Sequence, residues 1–253
     1  MELIKKTVKA GNSSAVTLPR SWLNKEVRIE LVKKSHKTIL DETLAIIENY
    51  IKTKEIIGIY LTGSYSRNEE NEISDIDILV ITENESKEII EEGIYSILIV
   101  SKKLIDYKLK NDLLPIGPMI KEAIPLLNNS YLKDIKNKIK ITNKNTKWYI
   151  NTTKEKIEII RDWLENSNNK INDRIIYTLI LRIRTLYIIQ KLKQNKIPTK
   201  KEFLRIIEKI ASNTAYERYV SIKNKEKEKS IISKKDAEKL LDYLEKQLIR
   251  IKN

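Results

Sequence analysis

No cysteine occurs in the 253 residues, and histidine occurs once, as His36. The first absence excludes disulfides, thiol catalysis and thiolate metal sites. The second excludes histidine-rich zinc sites. Any bound metal must therefore be a hard ion held by carboxylates, as Mg²⁺ is. Gly and Pro occur only five times each, while Ile, Lys and Asn dominate. No apolar run approaches the ~18 residues that would span a bilayer, so no membrane partner is expected. The start, Met1-Glu2-Leu3-Ile4-Lys5-Lys6, has no apolar signal core, and the expected location is the cytoplasm.

What remains is enough for a real core. Hydrophobic residues make up 41% of the chain, and the length suits one large domain or two to three small ones. The formal net charge is +14, but it is unevenly spread: +6 over residues 1–40, −8 over 41–130 and +16 over 131–253. An acidic middle between two basic ends predicts three functional units.

Residues 1–34 read as short strands and turns. Val27, Ile29 and Leu31 alternate with charged neighbours, the pattern of a half-buried strand. Ala15-Val16-Thr17-Leu18 is β-prone, and Gly11-Asn12-Ser13 is a turn. A segment this short cannot bury a core alone, so it must dock or dimerise. Leu40, Leu44, Ile47 and Ile51 predict a helix over 38–54. Strands are predicted over 56–61, 76–80 and 94–100, with a helix over 84–92, an α/β pattern around one sheet. Residues 141–152, rich in Asn, Thr and Lys, read as a junction. Helices follow over 153–165, 172–194, 199–212, 215–229 and 233–251. The expected class is α+β, with a β-hairpin domain (1–36), a central α/β domain with a mixed sheet (37–140) and a helical bundle (141–253).

The chemistry concentrates between Leu61 and Val80. Gly63-Ser64 follows a buried strand and opens a short helix through Arg67. A Gly there lets a phosphate approach the backbone, and the Ser hydroxyl and free N–H groups can hold its oxygens. Asp75 and Asp77, two apart on a strand, point to one face. Paired ionised carboxylates repel each other, and a Mg²⁺ ion relieves that repulsion. Gly-Ser alone is a turn, and Asp-Ile-Asp alone is a strand end facing solvent. Together, between two apolar strands, they describe a phosphoryl- or nucleotidyl-transfer site.

This stretch resembles the nucleotidyltransferase superfamily that includes DNA polymerase β: apolar strand, Gly-Ser, about ten residues, then Asp-x-Asp in an apolar strand. It looks most like the minimal nucleotidyltransferases, among them antitoxins that transfer AMP to a HEPN-type toxin. Ile120-Lys121-Glu122-Ala123-Ile124-Pro125-Leu126 is similar to the segment closing that domain. The resemblance implies Asp75 and Asp77 as catalytic metal ligands and Gly63, Ser64 and Arg67 as nucleotide-binding residues. Arg67 reads equally as a solvated helix residue. The family usually places a third carboxylate on the next strand, as metal ligand or base. In Tyr95-Ser96-Ile97-Leu98-Ile99-Val100 that position falls on Ser96 or Leu98, and Glu91, Glu92 and Asp106 lie outside the run.

Val8 to Pro19 resembles the swapped-hairpin AbrB family of DNA-binding domains. That likeness implies a homodimer through residues 1–34, with Lys5, Lys6, Lys9 and Arg20 facing DNA phosphates. The other reading is a basic hairpin docked on the sheet. In the helical part, Arg182 and Arg184 either reach the nucleotide or pair with core acids, and Trp148, Tyr149 and Trp163 read as core or junction anchors. No His follows His36, so the bundle is not an active HEPN nuclease. Two functions follow. One is Mg²⁺-dependent transfer of a nucleoside monophosphate from an NTP to an acceptor hydroxyl on a protein such as a toxin, an RNA or a small molecule. The other is a DNA-binding regulator whose nucleotidyltransferase domain senses nucleotide or is inactive.

Overall fold

A computed structural model describes residues 3–72, 74–166 and 170–252. Met1, Glu2, Ile73, Ser167, Asn168, Asn169 and Asn253, which fall within segments singled out above, lie outside the described residues.

The chain opens with a hairpin, β1 (Val8–Ala10) and β2 (Ser13–Ala15), turned through Gly11 at φ +60°. Helix α1 (His36–Ile47) follows, capped by the Ser35 side chain. Then come β3 (Ile56–Leu61), the one-turn α2 (Gly63–Ser66), β4 (Ile76–Thr82), β5 (Ile90–Glu92) and β6 (Tyr95–Ser101). Helices α3 (Lys102–Asn111) and α4 (Gly117–Glu122), strand β7 (Ile124–Leu127) and helix α5 (Asn129–Asn137) complete the central part. Five further helices follow: α6 (Asn143–Glu165), α7 (Asp173–Lys193), α8 (Lys200–Ile210), α9 (Asn213–Lys223) and α10 (Lys234–Lys252). A two-residue pair, β8 (Lys170–Ile171) with β9 (Ile232–Ser233), ties the α6–α7 link to the start of α10.

The central sheet has the order β5-β6-β4-β3-β7, with β4 and β6 parallel and the other neighbours antiparallel. Along β4, alternate side chains serve two cores. Ile76, Ile78 and Val80 pack with Ile39 and Ile47 of α1. Leu79 and Ile81 pack with Ile105, Leu109 and Ile120 of α3 and α4, and with Leu192 of α7. A central strand covered on both faces should be continuously apolar. Only Asp77 departs from that: every other residue of β4 is buried. The helical bundle has its own core around Ile176, Leu179, Ile180, Ile183 and Leu186 of α7.

The α+β class and the three-part order match the sequence reading; three local expectations do not. Residues 84–92 form no helix. The link ends in β5, which pairs with β6 across a two-residue turn whose first member, Gly93, has φ +61°. That Gly supplies the positive φ a tight hairpin requires. Residues 141–152 are not a loose junction either, because α6 already starts at Asn143. The Thr142 hydroxyl accepts the Asn145 N–H at 3.2 Å, and the Asn145 side chain accepts the Thr142 N–H at 2.9 Å. This reciprocal box satisfies two of the helix's orphan donors. Finally, Val27, Ile29 and Leu31 form no strand and stay exposed. An isolated strand leaves its N–H and C=O groups without partners, so alternation alone does not produce one.

Candidate active site

Sheet register brings Gly63 to Asp77. Leu61 of β3 pairs with Ile78 of β4, so the chain leaving β3 passes directly over Asp77. The Thr62 N–H donates to the Asp77 carbonyl at 2.8 Å, and the Thr62 hydroxyl donates to it at 3.2 Å. Gly63 then turns with φ +65°. A Cβ at Gly63 would lie 1.8 Å from Oδ2 of Asp77. Two separate demands, positive φ and close approach, therefore require glycine there. Ser64 lies in the same turn, and its carbonyl accepts the Arg67 N–H at 3.1 Å and the Glu69 N–H at 3.0 Å.

The turn is held from below by an acid that sequence reasoning had not assigned to the site. Glu122, at the end of α4, accepts the Gly63 N–H at 2.8 Å and the Arg67 guanidinium at 2.5 Å. Arg67 also donates to Glu69 at 2.8 Å. Its charge is thus shared between two carboxylates. Burial pushes the Glu122 carboxyl up, against the pull of Arg67 and the Gly63 N–H. One signal for this residue was available: an acid between Ile120 and Ala123, both buried, needs a cationic partner. Glu69 in turn accepts the backbone N–H of Lys201 at 3.5 Å, which connects the site to α8 of the bundle.

The field at Asp77 has both signs. Burial raises its proton affinity most, and the charges of Asp75 and Glu91 raise it further. Arg67 and Lys223, the last residue of α9, pull it back. Asp75 is exposed, one residue ahead of β4. A half-buried carboxylate destabilised by carboxylate neighbours, with oxygen donors alone, suits a hard divalent cation. Among the described residues, no group of three or more His, Cys, Asp or Glu side chains forms a metal cluster.

The position beside Asp77 on β6 is Ser96, its register partner. Ser96 pairs on its other side with Glu91 of β5, and its hydroxyl donates to Glu91 Oε1 at 2.9 Å. Asp77, Ser96 and Glu91 thus form one row across three strands and share a sheet face. Glu92 pairs with Tyr95 and belongs to the opposite face. Asp106 is engaged by Lys138 at 2.8 Å.

The structure gathers Gly63, Ser64, Arg67, Asp75 and Asp77 in one place. Lys5, Lys6, Lys9 and Arg20 belong to a different region, exposed on the N-terminal segment, with Lys6 3.2 Å from Glu42 of α1. Neither bundle arginine named above pairs with an acid in these contacts. Arg182 donates to the Thr152 hydroxyl at 3.1 Å and Arg184 to the Tyr219 hydroxyl at 3.3 Å. Tyr149 is an anchor, bonded to Asp112, but Trp148 is 63% exposed and Trp163 39% exposed, which corrects the core assignment for both.

Residues 44–244 match the nucleotidyltransferase domain family, and the chain belongs to that family. The match runs through the bundle as well as the sheet, beyond the segment that carried the sequence resemblance. No curated protein matches the chain. Among solved structures, it is similar to a nucleotidyltransferase-like protein from Exiguobacterium sibiricum, at 15% identity and TM-score 0.40, over 84% of this chain and 75% of that one. It is also similar to a spectinomycin adenyltransferase from Enterococcus faecialis, solved with ATP and spectinomycin, at 14% identity and TM-score 0.42, over 83% of this chain and 99% of that one. Among the described residues, no helix is long and apolar enough to cross a membrane.

Proposed function

We propose that this nucleotidyltransferase moves a nucleoside monophosphate from an NTP to an acceptor hydroxyl in a Mg²⁺-dependent reaction. The observation that carries the proposal is the close approach of the Gly63 turn to Asp77, a half-buried carboxylate whose proton affinity is raised by burial and by Asp75. Asp75 and Asp77 are the residues that would hold Mg²⁺, and the ion would neutralise triphosphate charge and polarise the α-phosphoryl group. Gly63 and Ser64 form the turn toward which the phosphates come, with the Gly63 N–H already donated to Glu122. Arg67 acts with them, its guanidinium fixed by Glu69 and Glu122 so that the turn keeps its shape. Lys223 brings positive charge from the bundle to the same face. In this reading residues 37–140 supply the catalytic groups and 141–253 the basic wall opposite them.

A second activity is proposed for residues 1–36. Leu23, Ile29 and Leu31 are exposed, as are Lys5, Lys9 and Arg20. Apolar alternation without a covering face supports pairing with a second copy through residues 1–34. The basic residues then support contact with DNA phosphates, and the protein would act as a regulator in addition to, or instead of, an enzyme.

Labelling tests the transfer. The protein is incubated with each α-labelled NTP, Mg²⁺ and a cell extract. The expected result is label on one acceptor, dependent on one NTP and abolished when the divalent ion is chelated. The gel separates the three acceptor classes: a protein such as a toxin, an RNA end and a small molecule. No labelled product with any NTP, together with no divalent-dependent NTP binding, overturns the assignment.

A further inference from the structure

Helix α6 carries an apolar stripe that its own chain leaves uncovered. Thr153, Ile157, Ile160 and Leu164 are buried on the side that faces the rest of the fold. Trp148, Thr152, Glu155, Ile159 and Trp163 follow one another at helical spacings of three or four residues, so they form one line along the opposite side. Trp148 and Ile159 are 63% and 58% exposed, and Trp163 is 39% exposed. A lone exposed apolar residue, such as Ile249 of α10, needs no explanation. Two tryptophans and an isoleucine aligned over about 22 Å of helix do. Tryptophan has a large apolar area and is enriched where proteins meet.

The stripe is complementary to itself when reversed. Two copies laid antiparallel about a two-fold between positions 155 and 156 set Trp148 against Trp163, Thr152 against Ile159, and Glu155 against Lys156 of the second copy. One register thus matches aromatic to aromatic, methyl-bearing side chain to aliphatic one, and acid to base. Charge obeys the same register. Residues 143–154 hold three Lys and no acid, whereas 155–165 hold four acids against Lys156 and Arg161, so reversal lays each basic half on an acidic one. Lys144, Lys147, Asp162 and Glu165 are all exposed. Their spacing puts them on one flank of the stripe, and the two-fold keeps that flank on the same side of both copies. Lys144 and Lys147 of one copy therefore run beside Asp162 and Glu165 of the other. A parallel pair would set like charge on like charge, which is costly.

We propose that the outer face of α6 is a docking surface for a second copy of this chain, through an antiparallel α6–α6 pair. The inference is independent of nucleotidyl transfer and of pairing through residues 1–34. Its strength follows from its size. Three apolar side chains per copy fall short of the roughly 800 Å² that each partner buries in a stable interface. The pair therefore forms as concentration rises and comes apart on dilution, and in dilute solution it leaves the pairing through residues 1–34 to be read by itself. Exposed lysine–acid contacts are screened by ions, so salt weakens the pair further.

Light scattering of the full chain, from micromolar to near-millimolar concentration, should show the mass of the dilute species double. Ile159→Lys should abolish the doubling and leave the dilute mass and the unfolding temperature unchanged. Reversing one end, with Lys144→Glu and Lys147→Glu together, should also abolish it, as should Asp162→Lys with Glu165→Lys. An equal mixture of these two double variants should recover it, because each supplies the charge the other lacks. A misfolded variant would not be rescued by mixing. Cross-linking reads the register. The chain has no cysteine, so an introduced one is its sole thiol. A short bis-maleimide should join two copies through Glu155→Cys, beside the two-fold. It should not join them through Lys144→Cys, whose copies would sit about 35 Å apart along the helix axis. A mass that stays constant over this range overturns the proposal, as does doubling that survives Ile159→Lys. Failure of the mixture to recover, or linking through Lys144→Cys and not through Glu155→Cys, overturns the antiparallel pair.

Discussion

Asp77 costs the fold something, and that cost is testable. Its proton affinity is raised first by burial and then by Asp75 and Glu91. A carboxyl whose folded pKa lies above its unfolded value stabilises most below the unfolded pKa and loses that contribution as pH rises through the folded one. At neutral pH the charged form is therefore a burden. Asp77→Asn should unfold at the same or a higher temperature than wild type while losing divalent-dependent NTP binding and transfer. Calorimetry with and without nucleotide separates the two effects; a mutant with wild-type transfer rules Asp77 out of the site. Gly63→Ala works through the backbone. At φ +65° a side chain costs about 1–3 kcal/mol, and its Cβ would displace the Asp77 carboxylate from 1.8 Å away. Chemical denaturation should show that loss, and nucleotide binding should fall with it. Unchanged stability would mean that the turn adopts another shape.

At the scale of elements, α1 clamps the N-terminal segment to the sheet through Glu42. Its carboxylate meets Lys6 at 3.2 Å, accepts the Tyr95 hydroxyl of β6 at 2.7 Å, and is also paired with Lys34. Burial alone would raise the Glu42 carboxyl, but Lys34, the Tyr95 hydroxyl and Lys6 outweigh it and lower it from 4.5 to about 2. Because the folded value is depressed, the clamp contributes stability above 4.5 and loses it as pH falls from 4.5 towards 2. The exposure of Lys6 keeps its share of this small through solvent screening. Glu42→Gln should flatten the acid limb of the unfolding temperature between those values and leave neutral pH little changed. An acid limb identical to wild type would remove Glu42 from the account.

Across the whole molecule, the acidic middle meets the basic tail. Ile188 and Leu192 of α7 pack on the sheet core, and Lys121 of α4 bonds Asn195 just beyond α7. The N-terminal segment is the other basic end of the chain. Deleting residues 1–34 should convert a dimer to a monomer in light scattering and abolish DNA retention. The intact protein's DNA binding should weaken steeply as salt rises, since counterions are released from phosphate contacts. A truncated protein that stays dimeric and still holds DNA would assign both properties elsewhere. Phosphate contacts alone would carry no base preference.

Much of the site was legible because its information is local. Gly63-Ser64 after an apolar strand and Asp77 near the start of another follow from local pattern, since strand side chains alternate faces whatever surrounds them, whereas Asp75 lies one residue ahead of β4. The strands over 56–61 and 76–80 and the long helices of the bundle follow from periodicity in the same way. Local pattern misled where a partner decides the outcome. Val27, Ile29 and Leu31 alternate like a strand, yet among the described residues no strand pairs with them. The 84–92 stretch ends as an edge strand because β6 offers it hydrogen bonds and Gly93 allows the turn. Nothing in sequence spacing distinguishes Glu91 from Glu92, or brings Glu122 under Gly63 from 59 residues away. Those choices belong to the tertiary structure, because register between strands and packing of α4 beneath the turn are set by contacts among distant residues that no local period encodes.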